Sequence, residues 1–410
     1  MRKRLATSQV RMLLAGVLAV LCLTPPVSQL ANTPDEVEVP LGQHANVSGV
    51  DFIPMDIGVA TVSARVFGVV PWKSVRVHVV PPAMVYVGGQ SIGIRLRSSG
   101  AMIVGFQRLG SQMTSPAAEA HLHLGDVIEQ VNDKAVKSVS DIRDLTNQVR
   151  VRDSVTVRVK RGDDHVNVVI RPFRDDQGLR HLGVFVRDKT TGVGTLTFYD
   201  PEHHRFGALG HIITDIDTGL PIEGTGSLYE AEITGVTKGQ VGRPGEKRGR
   251  FNSKAEELGE IEKNTPFGVF GSMQHIPQHL GYSREYPIAL PSQVHEGSAK
   301  ILTVLHGQTV EEFEVRIENV TRQSHPNTKS MVVHVTDPRL LAQTGGIVQG
   351  MSGSPIVQEG RLIGAVTHVF VSDPTRGYGV YAKWMLGEAG SGESKLQDEN
   401  EAAAMARVLK

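Results

Sequence analysis

The sequence predicts a mostly β protein of more than one domain. Three observations carry that expectation. Short apolar runs alternate with Gly, Pro and Asp turns through the second half, at 182–186, 207–213, 231–236, 301–304, 331–335 and 363–371, the pattern of many short strands. The chain has 44 glycines in 410 residues, an excess that suits tight turns. After residue 182 no helical period is sustained, except for a short stretch at 254–262.

Composition narrows the function classes. Lys and Arg total 43 and Asp and Glu total 43, so the basic footprint of a nucleic-acid-binding protein is absent. Cys22 is the single cysteine, which excludes an intrachain disulfide framework and a cysteine-built zinc site. His203 and His204 have no third ligand at a sensible spacing, so neither a metal nor another cofactor is expected.

In chain order, Arg2, Lys3, Arg4 and Arg11 flank an apolar run at 12–23, closed by Pro25 and Pro26. That is the layout of an export signal. The small-x-small cleavage pattern is poor, so residues 1–31 are expected to associate with the membrane and stay for a time as an anchor. Residues 32–83 read as a linker, polar and acidic up to about 45, and an N-terminal β segment. Within the latter, 74–79 alternates polar and apolar before Pro81-Pro82.

A second unit spans 84–172. Strands are expected at 91–96, 103–106, 155–159 and 166–170. Ser115-Pro116 reads as the cap and first residue of a short helix. Ser140 reads as the cap of another, with Ile142, Leu145 and Val149 on one face. Together with the stretch Leu124-Gly125-Asp126-Val127-Ile128-Glu129-Gln130-Val131-Asn132, this order resembles a PDZ domain of the kind found in exported bacterial proteases. The resemblance implies peptide binding by strand addition at the 92–96 edge, opposite the 140–149 helix. Ile92, Gly93 and Ile94 would supply the backbone N–H groups.

The chemistry lies further on, in Gly350-Met351-Ser352-Gly353-Ser354-Pro355. A serine needs a base and an oxyanion site to attack a carbonyl. This glycine spacing lets the N–H groups of Gly350 and Ser352 converge. The following 360–366 turn and strand, and Gly377-Tyr378-Gly379-Val380-Tyr381-Ala382-Lys383, resemble the C-terminal barrel of chymotrypsin-like proteases. Met351 and Ser354 depart from that pattern. Gly346, six residues before the serine, implies a primary pocket without a buried charge. His211, at the end of an apolar run between small residues, is the candidate base. The orienting acid stays open among Asp215, Asp217, Glu256, Glu257, Asp337 and Asp373.

The membrane signal, the PDZ-like unit, Gly210-His211-Ile212-Ile213-Thr214-Asp215, Thr336-Asp337-Pro338-Arg339-Leu340-Leu341 and the serine motif together resemble the stage IV sporulation protein B peptidase family. That resemblance implies a mostly β fold, a PDZ domain at 84–172 followed by a chymotrypsin-like double β-barrel at 173–386, with a polar tail at 387–410. It implies a serine endopeptidase with the triad His211, Asp337 and Ser352. It further implies export across the forespore membrane into the intermembrane space, and self-cleavage in the 32–46 stretch. The expected partners are protein and peptide substrates, including a membrane-bound regulator of the protease that processes a late mother-cell sigma factor, and a PDZ peptide ligand. The competing reading is a peptide-binding scaffold with an inert protease-like domain; intact His211 and Ser352 argue against it.

Overall fold

The computed structural model describes residues 35–47, 50–66, 70–107, 114–148, 153–251, 256–273, 285–323 and 325–390. The export-type segment 1–31, the tail from 391 and Val149 lie outside the described residues. Among those described, no helix is long and apolar enough to cross a membrane.

The chain divides into two units, Met1–Ala83 and Met84–Lys410. The first carries a three-stranded sheet. Val70–Val80 sits in its centre, parallel to Glu36–Pro40 and antiparallel to Gly58–Val66. The alternation at 74–79 drives Val75, Val77 and Val79 into a small core with Val39, Ala45 and Val47. The expected linker is thus partly a strand. Glu36–Pro40 carries alternating apolar residues of its own, and pairing satisfies its backbone groups.

In the second unit, Val127–Val131, Val155–Arg161 and Asp164–Ile170 form a sheet with the far end of the 16-residue strand Ser91–Phe106. Ser115 caps the helix Pro116–Glu119. The helix Val139–Asn147 is capped by Ser138 rather than Ser140, because Asp141 completes a capping box with Ser138. The Asp126 carboxylate, nearly fully buried, pairs with Arg161 at 2.6 Å and accepts from His123 N at 2.9 Å. The acidic residue of the Leu-Gly-Asp stretch therefore holds a turn.

The near end of Ser91–Phe106 leaves this sheet and enters a barrel. The ring runs Ser91–Phe106, Gly224–Glu230, Gly259–Thr265, Gly268–Ser272, Arg205–Ala208 and Val184–Asp200, which pairs back with Ser91–Phe106. Its core includes Ile92, Ile94, Leu96, Leu196, Phe206, Leu228, Ile261 and Val269. The stretch 259–262, read as weakly helical, is a strand here, since Ile261 fills this core. A second closed barrel runs Gly297–Val304, Val310–Val320, Met331–Val335, Asp373–Tyr381, Arg361–Phe370 and Pro355–Gln358. The helix Ala382–Ala389 follows.

The expectation of peptide addition at Ile92, Gly93 and Ile94 is corrected by this topology. Ile92 to Leu96 pairs with Gly194 to Thr190 on one side and with Glu230 to Gly226 on the other. Both edges are consumed, so no backbone donors are left for a peptide. Gly93 is required for another reason. A Cβ there would lie 2.2 Å from the Phe251 ring, which packs over it.

Candidate active site

The site forms where the two barrels meet, and backbone geometry builds it. Strand Arg205–Ala208 ends in Leu209 and Gly210, both left-handed, at φ 69 and 71. Two such residues turn the chain sharply and set His211 at the start of an irregular segment. Asn264 holds that segment: its Oδ1 accepts from Ile213 N at 2.8 Å, and its Nδ2 donates to Ile213 O at 2.8 Å and Ile222 O at 3.0 Å. Asp215 pairs with Arg187 and caps Asp217 N and Thr218 N.

The His211 Nδ1 lies 2.8 Å from Ile212 O. A carbonyl can only accept, so Nδ1 carries the proton and Nε2 is left with its lone pair. Burial holds the imidazole below its ordinary value of 6.5, opposed in part by that hydrogen bond. His368, on strand Arg361–Phe370, stacks obliquely on it with ring centroids 4.8 Å apart. Its pKa is lowered as well, by desolvation and then by His211.

From the second barrel comes the loop Gly350 to Ser354. Met351 is fully buried in that barrel's core, which accounts for an apolar residue before the serine. Gly353 has φ 91, and a Cβ on it would lie 2.1 Å from Thr195 O and 2.5 Å from Leu209 N. This close approach ties the serine loop to the histidine turn. Thr195 N donates to Ser352 O at 3.0 Å and Thr197 Oγ1 donates to Gly353 O at 2.8 Å. Within the loop, Met351 N, Gly353 N and Ser354 N donate to Val348 O, Val366 O and Met351 O. Among the described residues, the N–H groups of Gly350 and Ser352 have no protein acceptor. The Ser352 hydroxyl donates to Thr367 O at 2.9 Å, not to His211.

A model of the SpoIVB peptidase S55 family matches residues 178–386. The chain belongs to this family. A PDZ domain model matches residues 91–171 of the same peptidase. It is a PDZ-containing serine endopeptidase of the sporulation type, with the double barrel described above. Its first barrel borrows a strand from within the stretch that the PDZ model matches. Solved structures with some likeness include the Rv3671c protease from M. tuberculosis in its active form. That protein is 14% identical over 50% of this chain and 76% of its own, with a TM-score of 0.28. The PDZ domain of the SdrC-like protein Lmo2051 from Listeria monocytogenes is 26% identical over 22% of this chain and 87% of its own, with a TM-score of 0.19. No curated protein matches the chain.

The structure does not bring Asp337 to His211. Asp337 caps the helix Pro338–Thr344, accepting from Arg339 N at 2.8 Å, and pairs with the Arg339 guanidinium at 2.9 Å. It also accepts from Glu314 N at 3.2 Å. The Arg339 side chain beside it, with these backbone donors, lowers its pKa to about 2. The other acids are committed too: Asp217 to Arg187, Glu257 to Arg95 and Tyr229, and Asp373 to Arg376. Glu256 is exposed. Among the described residues no carboxylate is hydrogen-bonded to His211, and no cluster of three or more His, Cys, Asp or Glu side chains could hold a metal ion. Gly346 is where two backbones touch, since a Cβ there would lie 2.1 Å from Pro374 O.

Sequence reasoning missed His368, Asn264 and Lys247. Nothing in the sequence distinguishes them from surface polar residues; each reaches the site only through barrel closure.

Proposed function

We propose that Ser352 is the nucleophile of this endopeptidase and His211 its general base, with the N–H groups of Gly350 and Ser352 receiving the oxyanion. The unpaired state of those two N–H groups, in a loop whose other N–H groups are bonded, carries this reading. Ser352 Oγ turns from Thr367 O toward His211 Nε2, passes its proton there and attacks the scissile carbonyl. The imidazolium then gives that proton to the leaving amine, and water, activated by the same nitrogen, releases the acyl group. The Ile212 carbonyl keeps Nδ1 protonated throughout, the orienting task an acid performs elsewhere. The base and oxyanion donors supply the rate, each donor contributing about 10²–10³-fold.

In this reading the peptidase is exported across the forespore membrane, is first held by its N-terminal segment, and cuts itself free within 32–46. It then cleaves the extracytoplasmic part of a membrane-bound regulator, which releases intramembrane processing of a late mother-cell sigma factor. The family match and the basic and apolar N-terminal sequence support it. The PDZ unit would bind a peptide elsewhere than at the closed 92–96 edge. N-terminal sequencing of the matured protein tests self-cleavage. Wild type is expected to begin within 32–46, and Ser352→Ala to remain uncut there; equal shortening in both would refute the assignment.

A further inference from the structure

A buried lysine lies directly beneath the serine loop. Lys247 sits on strand Glu246–Arg250, which pairs with Glu232–Thr237. It is 3% exposed, and burial alone lowers its amine from 10.5 to about 7. Among the described residues no carboxylate pairs with it. An uncompensated buried amine is costly, so its contacts need an explanation.

They converge on Gly350. Lys247 N donates to Gln349 O at 2.8 Å, and Gln349 N donates to Gly245 O at 2.8 Å. In a trans peptide the C=O and the following N–H point opposite ways, so this bond turns Gly350 N–H away from the Lys247 strand. The lysine stem then passes under Gly350; a Cβ there would lie 3.1 Å from Lys247 Cβ and 3.4 Å from Cε. At its end, Nζ donates to Thr303 Oγ1 at 2.9 Å and Thr195 Oγ1 at 3.4 Å. Thr195 Oγ1 donates in turn to Gly350 O at 2.8 Å. A hydroxyl has one proton, and Thr195 spends it on Gly350, so it can only accept from the amine.

We propose that Lys247 is a positioning residue of the peptidase. Its backbone N–H and its amine, acting through Thr195, fix the two peptide planes that flank Gly350, so that the Gly350 N–H faces the oxyanion beside that of Ser352. The proposal rests on the reading of Ser352 and these N–H groups given above. It also gives the amine a catalytic consequence, since a donor network held in a dry site needs no reorganisation as charge develops.

The test is the rate at which a fluorophosphonate labels Ser352 in the full chain. In that reaction Ser352 Oγ bonds to phosphorus, its proton goes to His211, fluoride leaves, and the phosphoryl oxygen occupies the oxyanion position. Lys247→Met keeps the stem and removes the donor. Labelling is expected to slow by about 10- to 100-fold, while the thermal midpoint holds or rises because a buried polar group has gone. Thr195→Val should slow labelling similarly, with part of the rate recovered in Thr195→Ser. Wild-type labelling rates in a folded Lys247→Met protein overturn the proposal. If that variant does not fold, Thr195→Val decides, and wild-type labelling there overturns it. Should the wild-type chain itself not be labelled at Ser352, the reading of Ser352 fails first.

Discussion

At the scale of single residues, ionisation decides what His211 can do. A buried imidazole resists protonation, so His211 stays neutral to a lower pH than a free histidine. The acid limb of kcat/KM is therefore expected below pH 6.5, with activity lost only as pH falls through the lowered value. A limb at or above 6.5 would mean that His211 is solvated, or is not the base. Asp337 has the opposite sign of role. Its pKa is depressed from 3.8 to about 2, so its stabilising contribution is present above 3.8 and disappears as pH falls toward 2. Asp337→Ala removes a helix cap and should cost about 0.5–2 kcal/mol of stability. The kcat of the folded variant should be retained; a collapse of kcat at unchanged stability would place Asp337 in catalysis after all. The turns that carry Ser352 and His211 were legible in the sequence because glycine neighbours mark them. The acid was not, because a carboxylate in a Thr-Asp-Pro run reads equally as a cap or as a catalytic group.

At the scale of elements, one turn and one loop place His211 and Ser352. Leu209 and Gly210 are both left-handed, and Gly353 lies against the backbone of Thr195 and Leu209. The bulky Leu209 in that region stores strain of about 1–2 kcal/mol, offset by burial of its side chain. Gly353→Ala forces a Cβ into backbone atoms and should separate the serine loop from the histidine turn. Activity should fall by at least about 100-fold, together with a lower thermal midpoint. Near-normal activity in this variant would show that the contact is not needed for alignment. The helix caps were partly visible in sequence. Ser115 caps its helix as the sequence suggests, whereas at the next helix Ser138 and not the expected Ser140 is the cap, because the capping box with Asp141 selects the first of two serines near one helix start.

At the scale of the whole molecule, the PDZ unit and the first barrel share strands. Ser91–Phe106 gives one end to each, and Val184–Asp200 pairs along its length. Removing residues 84–172 would open the barrel and expose two paired edges, an invitation to aggregation. A 173–390 fragment is expected to be insoluble or molten, whereas 84–390 should unfold in a single cooperative transition. Calorimetry and near-ultraviolet circular dichroism distinguish the outcomes, and a soluble, natively packed 173–390 fragment would contradict the shared-strand architecture.

By itself, the sequence determined the β class, the serine loop, the histidine turn and the PDZ-like order of elements. These depend on local backbone demands, such as glycine at left-handed positions and period-two burial. Tertiary structure alone decided that Ile92 to Leu96 closes a barrel, that Asp337 caps a helix, and that Lys247 is buried. Each of these depends on which distant strand arrives alongside. An alternating strand reads the same whether its edge is free or paired, and a lysine beside Glu246 and Arg248 reads as solvated until a second barrel covers it.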